Sequence, residues 1–528
     1  MTYLFRALLL CLPLAPIALE CQATRYFVNA SATGSATGLT WTDAFTNLQE
    51  ALGIVIPGDE IWVAAGQYKP TSSTNRSVSF ALRNGVNVFG GFAGTETELD
   101  ERDPTAFPST LNGDIGEIGL ASDNSHSVVT ANDISTTIIL DGFRILNGNN
   151  TNGTQGGGMR VTNALGGEVR VRNCRFIGHQ SNNYGGGIYL AAANLVVEGC
   201  EFLNNESSNG GAIHNGNNNG GNSNLLLRDC VFKGNMANSG ACLNNTSPYN
   251  EIVVDRCIFT NNSTTNSVIV IDDFLSGKLM NSAIIGNRVS GSSSEVLRVN
   301  TFGNSTSPFD LINCTIAHNR NTSSSPIQAE IIQLEDDHIV VSNCIIFGNT
   351  AFAGRQLRNG PIVRYSLVEG GYAGGTNIIN TDPLFTAPDP DAPANFDATL
   401  FDYTLSASST AVNNGNNADI PAGSDLDLAL VPRIQAGTVD MGCYESDFTT
   451  VIRSPDKAPP SWSYDPSQQA LILASTTSIG ARAVYIHDVH GRLVSTMTVE
   501  GSVVRVDIPA GVHFATAQGF SVLKFLVP

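Results

Sequence analysis

Between residues 169 and 349 apolar and polar positions alternate in short runs with one recurring layout: an apolar residue, two polar ones, Cys, any residue, Phe or Ile, two more, then Asn. The copies centre on Cys174, Cys200, Cys230, Cys257, Ser282, Cys314 and Cys344, a period of 25 to 32 residues. Alternation of period two predicts strands, not helices. Strands that return once per period, separated by Gly-, Asn- and Ser-rich segments, predict coils stacked in parallel as a solenoid. The column three before the Cys reads Val171, Val197, Leu227, Val254, Leu279, Leu311 and Val341, and the column two after it reads Phe176, Phe202, Phe232, Phe259, Ile284, Ile316 and Ile346. Both are expected to face inward, each side chain meeting its equivalent about 4.8 Å along the stack.

Each remaining column has an expected structural task. Ser282 in the Cys column shows that the slot needs a small side chain, so the cysteines are expected as buried free thiols. One Cys per coil, with no CxxC pair, cannot close a tetrahedral metal site. The Asn column (Asn205, Asn235, Asn262, Asn287, Asn319 and Asn349, with His179 in the first copy) is expected to close each strand. There Asn itself would adopt the left-handed corner conformation and bond its amide to the neighbouring coil. The column Arg172, Glu198, Arg228, Asp255 alternates in sign and predicts cross-strand pairs on an outward face. A second element, Gly156-Gly157-Gly158-Met159, Gly185-Gly186-Gly187-Ile188, Gly210-Gly211-Ala212-Ile213 and Ser239-Gly240-Ala241-Cys242, predicts a bend before an inward residue.

The pairing of these two elements resembles the repeats of chlamydial-type polymorphic outer-membrane proteins. More widely, residues 155–349 resemble secreted right-handed parallel β-helix proteins of the pectate-lyase-like superfamily. That resemblance implies an all-β fold, a right-handed parallel β-helix solenoid, and raises polysaccharide lyase or hydrolase activity.

The flanks organise the rest of the chain. Residues 1–23 read as a signal peptide, with Arg6 before the apolar run Ala7–Leu19 and cleavage after Ala23. Residues 24–135 are expected to form an N-terminal cap and the first coils. Apolar residues at Trp41, Ala44, Phe45, Leu48 and Leu52 have helical spacing, as a helix sealing the end of the core would need. Residues 136–350 hold the repeats. Residues 351–447 resemble the C-terminal coil module of β-helix proteins with variable surface anchors, through Asp382-Pro-Leu-Phe385, Asp402-Tyr-Thr-Leu405 and Val439-Asp-Met-Gly-Cys-Tyr-Glu445. A Pro-rich linker spans 448–460. Short alternating strands in 461–528 predict a small β-sandwich. Its segments Val484–Val494, Ile508–Phe514 and Leu523–Pro528 resemble the type A sorting domain of the type IX secretion system, with His513 where Tyr is usual. This implies a Bacteroidetes-type bacterium, the type IX secretion machinery as a partner, and a secreted or outer-surface address.

A net charge of -19 and a pI near 4.7 exclude nucleic acid and anionic membranes as partners. They disfavour an anionic polysaccharide too, unless a local basic patch or calcium intervenes. No segment after the signal is apolar enough to span a bilayer, and a monomer is expected.

Catalytic chemistry is not legible: Lys233 and Lys278 lie in different columns, and no carboxylate shares the column of Lys233. Glu198 and Asp255 flank Arg228 as pairing partners, Asp272-Asp273 and Glu335-Asp336-Asp337 read as solvated turns, and His179, His214, His318 and His338 share no nucleophile. Catalytic residues are therefore left unassigned. No cofactor is required. Calcium is the one ion considered, at Asp425 and Asp427 in an acidic loop region that also contains Asn413, Asp419 and Asp440. The leading expectation is display of a repetitive face that binds a polysaccharide or a cell-surface glycan or protein. The alternative is a lyase or hydrolase of extracellular polysaccharide.

Overall fold

The computed structural model describes residues 23–448, except 152–154, 217–220, 222, 249, 292–294, 302–306, 323–329, 335–337, 352–354, 359 and 390–396, and beyond them seven strands between 461 and 527. Residues 1–22 of the expected signal peptide (1–23), 449–460 of the expected linker (448–460) and the Glu335–Asp337 cluster lie outside the described residues.

One period of the sequence is one coil. The coils build a 30-stranded sheet and a seven-stranded sheet with parallel pairing throughout. The expected columns are the observed register: Val171 pairs with Val197, Val197 with Leu227 and Leu227 with Val254, while Phe176, Phe202, Phe232 and Phe259 stand in line. The four phenyl rings stack at 5.0, 4.9 and 4.8 Å with interplanar angles of 11° or less. All of these side chains are fully buried, in one core that runs the length of the stack.

The cysteines are free and buried. Cys230, Cys314 and Cys344 each donate to the carbonyl two residues earlier (3.1, 3.2 and 3.2 Å), and Ser282 makes the same bond to Met280 at 2.7 Å. That shared bond explains why Ser fits the column. Burial pushes the Cys200 and Cys257 thiols well above the usual thiol range, which keeps them protonated.

Three expectations are corrected. The ladder asparagines are not the left-handed residues: positive φ falls one position earlier, at Gly178, Asn204, Gly234, Asn261, Gly286, His318 and Gly348. The corner is made there, which frees the next side chain to turn inward and bond along the stack. Asn205 donates its backbone N–H and Nδ2 to Asn235 Oδ1 at 3.0 Å each, and the pattern repeats to Asn349. Second, the fourth Gly element begins at Gly240, not Ser239. Ile213 pairs with Leu243, and φ is positive at Gly156, Gly185, Gly210 and Gly240, one per coil. Third, the helix spans Leu48–Ile54 and starts later than the apolar spacing suggested, because Asn47 caps it through Gln49 N and Phe45 bridges to Val28. Trp41 instead packs against Phe27 and Phe92 in tilted contacts. Leu48, Ala51 and Leu52 close the end of the core.

After the strand Thr376–Ile379 the chain leaves the stack and runs back along one flank. Ala398 N bonds Thr260 Oγ1 (2.8 Å), Asn281 bonds Ser424 (2.6 Å) and Cys443 N bonds Thr315 Oγ1 (3.1 Å). The C-terminal strands form a three-stranded and a four-stranded antiparallel sheet, with Ser461–Asp465 lying against Leu523–Val527, as expected of a small sandwich.

Candidate functional site: a charged cleft on the flank

The column one after the Cys faces outward and changes character along the stack. It reads Thr110, Arg144, Arg175, Glu201, then Val231, Ile258, Ala283, Thr315 and Ile345. The returning C-terminal arm covers the apolar end: Ala283, Ile285 and Ala317 pack with Ala398, Tyr403, Leu428 and Cys443, and Ile345 and Leu367 with Leu405, Ala411 and Met441. The charged end is not covered. There a cleft of about 900 Å³ opens between these strands and the loop that carries Glu98, Leu99, Asp100 and Arg102.

The loop is held by its own carboxylate. Glu101 accepts from the backbone N–H groups of Thr97 (2.8 Å) and Glu98 (3.1 Å), and these bonds hold its carboxyl below the usual range. Arg102 is anchored by Asp141 (2.9 Å) and the carbonyl of Gly90 (3.0 Å). Arg175 pairs with Glu201 at 2.8 Å.

Arg144 is different: half-buried, it has no ion pair among the described residues, and its Nε is buried without a hydrogen-bond partner. It stands directly beside Arg175 in the ladder. Like charges on facing strands repel, and a guanidinium fork suits a carboxylate or sulfate bidentately. The cleft therefore presents a cation with no ion pair among the described residues, on walls that also hold Glu98, Asp100 and Glu201.

The residues singled out from sequence do not meet here. Asp425 is exposed, and Asp427 is fully buried, accepting from the N–H groups of Ala429 (2.9 Å), Val431 (2.8 Å) and Glu445 (2.8 Å). Among the described residues no three His, Cys, Asp or Glu side chains group as a metal set. Lys233 has a carboxylate partner after all, Asp397 of the returning arm, which the column alone could not reveal. Glu198 sits between Arg172 (3.0 Å) and Arg228 (3.4 Å), and Asp255 pairs with Arg228 (3.5 Å) and Arg256 (2.9 Å), as the alternating column predicted. Asp272 pairs with Arg298 at 2.7 Å. His179 and His214 are pushed down to about 3 by burial, and His318 bonds Tyr403 at 2.9 Å. Arg144, Arg175 and Glu201 were readable as one column once the coil at Ile138 is recognised. The opposing loop was not.

With this geometry in view, comparisons with known proteins bear on the fold. A family model described as a right-handed beta helix region matches residues 117–274. The fold is thus a right-handed parallel β-helix. Among solved structures it is similar to pectate lyase Pel9A (12% identity, 80% of this chain and 96% of that one, TM-score 0.42). It is also similar to a rhamnogalacturonan lyase (11% identity, 71% and 96%, TM-score 0.39). No curated protein matches the sequence.

Proposed function

We propose that the protein is an exported β-helix protein that binds an anionic polysaccharide or cell-surface glycan along its uncovered flank. The observation that carries this reading is Arg144, an unpaired cation beside Arg175 in a cleft of a strongly acidic chain. It supplies a local cation where the overall charge of the chain argues against an anionic ligand. The test is a glycan panel of neutral, uronate and sulfated polymers against the full chain and Arg144→Ala. Binding restricted to anionic polymers, weakened about tenfold or more in the variant and falling with salt, is expected. Equal binding of neutral polymers, or a variant that binds as well as the parent, sinks the reading.

A lyase is the second reading, favoured by the carboxylates Glu98, Asp100 and Glu201 sharing the cleft with the arginines. Release of unsaturated oligosaccharides from any uronate polymer would establish it. Export through residues 1–23 and surface delivery by the type IX machinery through 461–528 complete the proposal, supported by the sequence resemblance. No helix among the described residues is long and apolar enough to cross a membrane. Deletion of 461–528 in the native host should retain the protein in the periplasm.

A further inference from the structure

Between the strands Ser109–Asn112 and Val129–Asn132 the chain makes a tight loop, and its turn Ala121–Asp123 lies against Asn149–Asn150, the first strand of the seven-stranded sheet. Backbone bonds fix the arrangement: Gly113 N to Leu146 O (2.9 Å), Ser125 N to Gly113 O (2.8 Å) and Asn149 N to Ser125 O (2.8 Å). The segments carrying Asp114, Asp123–Ser125 and Asn149 are thereby brought side by side.

Each carboxylate uses one oxygen only. Asp114 Oδ2 accepts from Gly119 N (3.1 Å) and Asp123 Oδ2 from Glu117 N (2.8 Å). Both Oδ1 atoms are buried without a partner, and so are Asn124 Oδ1, Ser125 Oγ and Asn149 Oδ1. Asn124, Ser125 and Asn149 are 6%, 0% and 5% exposed. Asn149 donates Nδ2 to Gln180 Oε1 on the following coil (3.1 Å), which leaves its Oδ1 as the unmatched end of the amide. Arg76 gives its donors to the carbonyls of Asn124 (2.7 Å) and Asn149 (2.8 Å), and not to these oxygens.

Four of the five orphaned oxygens can only accept, and two carry negative charge. Leaving such groups buried and unmatched is unfavourable, most of all for the charged ones. A hard divalent cation takes carboxylate, amide and hydroxyl oxygens together. We propose that residues 112–125 and Asn149 bind a calcium ion that pins this loop over the open edge of the seven-stranded sheet. The site is separate from Asp425 and Asp427. With two carboxylates it belongs in the weak extracellular class, with Kd on the order of 10⁻⁴–10⁻³ M.

The test is calorimetric titration of calcium chloride into the chelator-treated full chain, with hydrogen exchange followed segment by segment. Binding in that range is expected, with exchange slowed in 113–126 and 149–150, and at least tenfold weaker binding in Asp114→Asn/Asp123→Asn. No binding, protection confined to 413–446, or undiminished binding by the folded double variant would overturn it. Should the double variant fail to fold, the exchange map of the parent chain still decides.

Discussion

Asn235 accepts two bonds from the coil before it and donates Nδ2 to Phe202 O (2.9 Å) and Asn262 Oδ1 (3.0 Å) in the coils on either side. Asn235→Ala therefore strips the Asn205 N–H of its acceptor and leaves the Phe202 carbonyl unmatched in a fully buried column. A loss of about 2–5 kcal/mol is expected in denaturant unfolding. Cys230→Ser should cost about 1 kcal/mol or less, since Ser282 already makes the same carbonyl bond. An equal loss for both substitutions would mean that the columns respond only to volume. At this scale the sequence was nearly transparent, because a ladder repeats one side chain in one environment. What it hid was which residue takes the corner: Asn204 and Asn205 are both asparagine, and only one is left-handed.

Among elements, the Phe ladder and the capping helix illustrate strong and weak determinants. Phe232 stacks between Phe202 and Phe259 in the middle of the core, so Phe232→Ala should cost about 3–5 kcal/mol through the cavity it leaves. Asn47→Ala removes only the bond to Gln49 N and should cost about 1 kcal/mol. Calorimetry of the two variants separates them, and a ranking in the reverse order would contradict this account. The helix was legible as a helix, but its start was not. Trp41 and Phe45 satisfy helical spacing while being engaged elsewhere, one in an aromatic cluster and the other in a bridge to Val28.

For the molecule as a whole, the returning arm decides which part of the flank is open. Its fastening includes a buried group of charges: Arg433 lies 3.9 Å from Glu445, with Asp427 and Asp440 nearby. Burial, then Asp440, pushes Glu445 up to about 9, and burial pushes Asp427 up to about 6. These carboxyls hold protons more tightly in the folded than in the unfolded chain. Their stabilisation is thus complete below about pH 4 and lost as pH rises through about 6 for Asp427 and about 9 for Glu445. A melting temperature that falls from acidic to alkaline pH, with a flatter profile in Glu445→Gln, is expected from calorimetry. A profile unchanged by the substitution would show that the arm's charges do not set it. Neither the arm's path nor the cleft was legible, because repeat columns encode neighbours along the stack and say nothing of what folds over them. Arg144 lies on a coil ahead of the recognised repeats, and the loop opposite it at Arg102 shares no column with it. The Asn ladder has a consequence along the whole axis. Each amide from Asn205 to Asn349 receives on its oxygen from the preceding coil and donates from Nδ2 to the next, so their dipoles add head to tail. The series ends when Asn349 donates to Gln356 and Gln356 to the carboxylate of Glu369, each at 2.9 Å. The stack thus carries a directional side-chain polarity with its positive pole at the last coil, where an anion meets it, much as an acidic residue meets the first turn of an α-helix.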